Sequence, residues 1–349
     1  MDRKLKKSGY MQKLEWGKTW SRMPLELFYG PEDTTNLDYA RQLGNPGEFP
    51  FSRGIHSDMY RGRIWTIREI CGRSTPMESN EQIKSLFKHG ETGINVIFDL
   101  PTQNAIDGDH PFSAGDVGVQ GVPLTSLDDM EKMMSGIDQQ DISMTFSTPW
   151  PSILAQYIAL AQRRGADIAE LRGTIIMDTL HTVACGMVPT TMPVDMGFKL
   201  AGDTIEYCVK HMPRWFPICP EGYDLREHGI SAAQEIGFTF ALAIAYIDEA
   251  LKRKLDIDQI APKVSFTFGA HIDVFEEVAK FRAARRIWAN MIKERYNAKD
   301  PRSLKLKFHC NTAGSGTFRP QALNNLMRVT LMALSAVLGG CQSASVCPV

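Results

Sequence analysis

The chain has 349 residues, 43% hydrophobic and 23% charged, enough for one large or two medium globular domains with a sizeable core. Its 39 basic and 40 acidic side chains leave a formal charge of -1, which argues against a nucleic-acid-binding protein and against one held to a membrane surface by charge. Seven cysteines with no CxxC pair argue against a disulfide framework and against a zinc site, and suit free thiols in a reducing, cytoplasmic setting.

In chain order, residues 1–28 are basic and irregular and read as a variable arm; the opening MDRKLKKSGYMQK lacks the apolar stretch of a signal peptide. Residues 29–79 are rich in glycine, proline and aromatics and read as an extended segment laid over a domain. Within it FSRGIHSDMYRGRIWTIREICGRST (51–75) places Arg53, Arg61, Arg63 and Arg68 among Tyr60 and Trp65 with few acids nearby. Guanidinium forks in excess of local partners suit a phosphate clamp; a solvated basic loop is the plainer alternative. From residue 80 the pattern changes. Short apolar runs at 95–100, 141–147, 173–178, 215–220, 263–269 and 304–310 alternate with helical stretches, the first with Ser79 as its expected N-cap. Six βα units can be counted, which fits a doubly wound sheet or a TIM barrel equally well.

The clamp does not stand alone. PGEFPFSRG (46–54), FDLPTQ (98–103), DGDHP (107–111), GDVGVQGV (115–122) and SLDDME (126–131) follow one another in an order and at a spacing that resemble the acyl-CoA mutase large subunits of the methylmalonyl-CoA mutase family, from about Tyr29 to the end of the chain. The resemblance implies an α/β fold with a (β/α)₈ barrel of the TIM type. Because only six units are counted, the barrel over 80–349 is expected to lack its last strands, so that the chain is a fragment or is completed by another chain. The resemblance further implies an isomerase that rearranges the carbon skeleton of an acyl-CoA with adenosylcobalamin. For coenzyme A it carries over Arg63, Thr66, Arg68, Asn95, Ser143, Thr145, Thr174, Lys263 and Ser265; for the corrin face, Phe98, Leu100 and Glu227. No metal ligand is expected on this chain. The family's cobalt-ligating DxHxxG motif is absent from the sequence, so a small cobalamin-binding subunit is an implied partner, as is the family's G-protein chaperone; neither nucleic acid nor membrane is expected.

Substrate choice departs from the family's usual pattern. Tyr223 and Asp224, in a GYD where methylmalonyl-type members have GYH, are the positions carried over as catalytic, and the acyl pocket maps to Ile70, Ile97, Gly186, His309 and Asn311. Methylmalonyl-type members place Tyr, Arg and His where Ile70, Gly186 or Met187, and Asp224 stand here, so a substrate carboxylate would meet no positive charge and could face a negative one. Two rival expectations stay open. One is a non-catalytic CoA-binding subunit of the same family; the other, outside it, is a TIM-barrel lyase or aldolase working through Lys263, His271 and His309.

Overall fold

Each of the six apolar runs becomes a strand of one parallel sheet, and two more strands join them. The computed structural model describes residues 18–26, 28–185 and 193–347. Its strands are β1 (Thr66–Cys71), β2 (Gly93–Ile97), β3 (Ser143–Ser147), β4 (Arg172–Ile175), β5 (Trp215–Phe216), β6 (Ser265–Ala270), β7 (Lys307–Thr312) and β8 (Ser343–Ser345), in the order β5-β4-β3-β2-β1-β8-β7-β6. Thr66 and Ile67 of β1 pair with Ser343 and Ala344 of β8. Beyond β5, parallel bridges from Ile218 to Val264 and from Glu221 to Thr267 draw the two ends of the sheet together. The expectation of missing strands is therefore corrected: β1 lies inside the segment read as extended, and β8 is three small residues long.

The connections are α1 (Pro76–Lys88), α2 (Leu100–Gln103), α3 (Leu127–Met133), α4 (Pro151–Arg163), α5 (Thr179–Cys185), α6 (Val194–His211), α7 (Tyr223–Glu227), α8 (Ala232–Lys252), α9 (Ile257–Ile260), α10 (Val274–Arg295) and α11 (Ala322–Gly339). Local chemistry sets their ends. Thr75, not Ser79, caps α1 by accepting from the Glu78 amide at 3.2 Å, with Pro76 at the first helical position. Ser79 instead ties down Arg73, bonding its N–H at 2.8 Å and its C=O at 2.9 Å. Ser231 and Gln234 form a capping box at α8, and Gly340 ends α11 in the left-handed conformation at φ +85°.

Strand side chains alternate between two environments. One set, including Phe146 and Trp215 with Tyr157 of α4, or Phe266, Phe268 and Phe308 with Phe281 and Trp288 of α10, forms the apolar layer between sheet and helices. The stretch Arg319–Gly339 is long and apolar enough to cross a membrane by length and composition, and here it packs on α10 and on β6, β7 and β8. The segment before β1 is pinned underneath by Arg285 of α10, fully buried, which donates to the carbonyls of Phe51 at 2.8 Å, of Ser52 at 2.9 Å and of Gly339.

Candidate functional site

The other set of strand side chains points inward, and it is not what usually fills such a barrel. Eight-stranded α/β barrels normally close their interior with layers of branched apolar residues. Here the inward positions carry Thr66 and Arg68 on β1, Asn95 on β2, Ser143, Thr145 and Ser147 on β3, Thr174 on β4, Ser265 and Thr267 on β6, His309 and Asn311 on β7, and Ser343 on β8. They surround a cavity of about 900 Å³ along the barrel interior. Small hydroxyl side chains leave the bore open and line it with donors and acceptors.

The amino-terminal mouth of the bore is cationic. Arg172 opens β4, Arg214 precedes β5, Lys307 opens β7 and Arg63 precedes β1, and all four line the cavity. Arg214 is held by Glu170 at 2.6 Å. Lys307 donates to the Pro262 carbonyl at 2.6 Å, and burial first, then the like charges of Lys305, Arg302 and Lys263, push its ammonium down to about 8. A lysine so placed is short of a counter-ion. Sequence reading missed Arg172, Arg214 and Lys307, although a basic residue at or just before an apolar run was a readable signal. Lys263, expected among these groups, turns away: it donates to the Met212 carbonyl at 2.8 Å and does not line the cavity. Of the clamp arginines, Arg63 and Arg68 reach the cavity, while Arg53 bonds the Tyr39 hydroxyl at 3.0 Å.

Arg68 sits inside the barrel wall. It donates to the Ile94 carbonyl at 2.7 Å, to the Ser143 carbonyl at 3.0 Å, to the Thr145 hydroxyl at 2.8 Å and to the Ser143 hydroxyl at 2.8 Å, all neutral acceptors. Burial lowers its guanidinium to about 10. Its Nε reaches Ser343 at 3.3 Å, and Ser343 lies 2.8 Å from His309 Nδ1. Burial, then the charge of Arg68, press the His309 imidazole down to about 3, so the ring is neutral. His309 Nε2 stands 2.8 Å from Asn311 Oδ1, which only accepts, so the proton is on Nε2 and Nδ1 accepts from Ser343. Ser345 donates to the same Asn311 oxygen at 3.0 Å. The chain from Arg68 to Asn311 is thereby fixed in one arrangement.

At the carboxyl-terminal end the lining becomes apolar on one side and acidic on the other. Ile70 and Ile97, Tyr223 and Asp224 all line the cavity; Gly186 and Met187 lie outside the described residues. Helix α7 begins at Tyr223, so Asp224 sits in its first turn, and its carboxylate stands 3.1 Å from His181 Nε2 of α5. Burial alone would lower His181, but Asp224 and Cys185 lift it to about 11. Behind it, buried Asp178 accepts from the His181 N–H at 3.0 Å, the Glu221 N–H at 3.1 Å and the Tyr246 hydroxyl at 2.9 Å. Sequence reading singled out none of Asp178, His181 or Glu221. Helix α7 is anchored from below by Arg226, whose guanidinium lies 3.2 Å from Glu277 and 3.8 Å from Glu235, in a buried network completed by Lys280.

Three expected corrin-facing residues fare differently. Phe98 is fully buried against Phe146 in the helix–sheet layer, because it falls on the outward phase of the strand, and it cannot face a ligand. Leu100 starts α2 beyond the end of β2. Glu227 accepts from the Ser315 N–H at 2.8 Å and its hydroxyl at 3.0 Å, tying α7 to the loop after β7. The lyase triad is not assembled. Of Lys263, His271 and His309 only His309 lines the cavity, and both its nitrogens are engaged. Among the described residues no cluster of three or more His, Cys, Asp or Glu side chains could hold a metal ion.

The family model described as Methylmalonyl-CoA mutase matches residues 18–349. The chain is 41% identical over 323 residues to a 2-hydroxyisobutanoyl-CoA mutase large subunit of Aquincola tertiaricarbonis, covering 92% of this chain and 57% of the relative. It is 37% identical over 328 residues to a methylmalonyl-CoA mutase of Escherichia coli (strain K12), covering 93% and 45%. With the mitochondrial methylmalonyl-CoA mutase of Homo sapiens the identity is 36% over 323 residues, covering 91% and 42%. The chain thus spans about half the length of these relatives.

Proposed function

The chain belongs to the methylmalonyl-CoA mutase family, and from that premise we propose that it forms the substrate-binding barrel of a cobalamin-dependent acyl-CoA mutase whose acyl group carries no free carboxylate. The observation that carries this reading is the open bore, hydroxyl-lined along its length and cationic at its amino-terminal mouth. Coenzyme A has the matching order of parts. Its phosphates suit Arg63, Arg172, Arg214 and Lys307, its amide-bearing arm suits the Ser, Thr and Asn wall, and its thioester then arrives beside His309, Asn311, Tyr223 and Asp224.

The carboxyl-terminal mouth fits a large apolar-faced group. Phe112, Val119, Phe275, Phe318 and Leu323, all in segments that follow strand ends, are more than half exposed. Adenosylcobalamin bound there would supply the radical chemistry of the rearrangement. The residues of this chain would position the thioester and keep water from the acyl group. With no DxHxxG in these 349 residues, the cobalt-ligating histidine would come from a cobalamin-binding subunit or domain beyond them, and the G-protein chaperone of the family is a further proposed partner.

Calorimetric titration with an acyl-CoA tests the reading. Affinity is expected to fall with salt, and Lys307→Ala is expected to weaken binding by about 1.5–3 kcal/mol, the scale of a charge-assisted bond. The sign of the pH effect follows from Lys307. Near pH 8 the free protein has lost about half of this charge, and a phosphate restores it. Binding above pH 8 should therefore take up protons and weaken as pH rises. The free protein's stability runs the other way, rising from about 8 toward the ordinary lysine value of 10.5, because there the unfolded chain holds the extra proton. Affinity indifferent to salt, to pH and to Lys307→Ala would remove the phosphate mouth from the model.

A further inference from the structure

Among the described residues lining the carboxyl-terminal end, the buried polar atoms without a hydrogen-bond partner are His181 Nε2, which has the Asp224 carboxylate at 3.1 Å, and Glu221 Oε1. Glu221 is 5% exposed and lines the cavity, yet its Oε1 has no hydrogen-bond partner. The residue is held firmly in place. Its N–H donates to Asp178 at 3.1 Å, it is bridged to Thr267 of β6, and the next amide, that of Gly222, donates to the Thr267 carbonyl at 2.8 Å. The Thr267 hydroxyl lies beside the carboxyl but leaves Oε1 unpaired. Asp178 is occupied with three donors, and His181 is paired with Asp224.

A buried carboxyl oxygen without a donor is costly to keep, and buried polar atoms are otherwise almost always paired. Because Glu221 lines the cavity, a ligand entering there can bring the missing partner. Resting on the acyl-CoA reading above, we propose that Glu221 is a specificity residue that takes a hydrogen-bond donor, a hydroxyl or an ammonium group, carried by the acyl portion of the substrate. The rest of the wall sharpens the choice. Ile70 and Ile97 offer such a group nothing, and the Asp224 carboxylate is paired with His181. Burial, then the charge of Asp224, favour the neutral form of Glu221, which can accept from a hydroxyl and donate back to it.

The test compares binding of butyryl-CoA, 3-hydroxybutyryl-CoA and 3-aminobutyryl-CoA to the wild-type chain and to Glu221→Gln and Glu221→Met. The wild type is expected to prefer one donor-bearing ester over butyryl-CoA by about tenfold or more, the worth of one well-made buried hydrogen bond. Preference for the hydroxyl marks a neutral Glu221, and preference for the ammonium an ionised one. Glu221→Gln should keep a hydroxyl preference, and Glu221→Met should abolish either. Because one buried carboxyl oxygen has no internal partner, Glu221→Met should also raise the urea midpoint, a gain that a structural role would turn into a loss. Three esters bound equally by the wild type, or a preference surviving in Glu221→Met, would overturn the inference while leaving the acyl-CoA reading intact. Failure of all three to bind would overturn both.

Discussion

Lys280→Met is expected to destabilise the protein by about 3–5 kcal/mol, read as a lower urea midpoint, because it removes one partner from a fully buried set of charges. Lys280 donates to Glu235 at 2.6 Å, to the Gly269 carbonyl at 2.6 Å and to Glu277, and none of these side chains reaches water. Burial disfavours the ammonium, and the two carboxylates more than offset it. Without Lys280, Arg226 alone would face both acids. The same loss should loosen α7, which carries Tyr223 and Asp224 as well as Arg226. Adding Glu277→Gln to Lys280→Met should restore part of the stability by balancing charge again. A single variant within about 0.5 kcal/mol of wild type would show that the network contributes no more than a surface pair.

Succinyl-CoA is expected to bind at least about a hundredfold more weakly than butyryl-CoA, since about 3–5 kcal/mol is lost when a desolvated carboxylate has no cation, at about 1.4 kcal/mol per tenfold. The cavity's arginines and Lys307 start or precede strands, or pack into the barrel wall as Arg68 does, so they stand away from the acyl end. Among the described residues lining that end the charged base is His181, already engaged by Asp224. The segment 186–192, GMVPTTM, contains no basic residue. Arg226, close in sequence, is turned into the buried network and bonds Glu277 and the Ile230 carbonyl. A terminal carboxylate would face the Asp224 carboxylate instead. Competition calorimetry with the two esters decides the matter, and equal or tighter binding of succinyl-CoA would require a cation delivered from elsewhere.

The six apolar runs were legible because buried parallel strands are continuous hydrophobic segments, and each became a strand. The two that escaped show why that signal has limits. In TIREIC the inward phase is Thr66, Arg68 and Ile70, so the strand reads as a polar clamp; in SAS the strand is three small residues with no apolar run at all. The miscount made a barrel look open. The same inward phase explains the mixed outcome for individual residues. Ser143, Thr145 and Ser265 reach the bore, Phe98 falls on the opposite phase, and Lys263 lies before its strand begins, where its ammonium finds backbone carbonyls. Arg172, Arg214 and Lys307 were invisible as a group because strand starts far apart in sequence meet only when the sheet closes.

A barrel with some 900 Å³ free of side chains at its centre has left its innermost layer to solvent. At about 30 Å³ each, roughly thirty waters would occupy that space. An acyl-CoA threaded through it would then do more than present a thioester: it would take the place of the missing interior, expelling loosely held water and bracing all eight strands at once. By mass action a ligand at a thousand times its dissociation constant adds about 4 kcal/mol to stability. The folded lifetime of this protein would in that way follow the supply of the thioester it binds, and a chain starved of ligand would be the one most exposed to proteolysis.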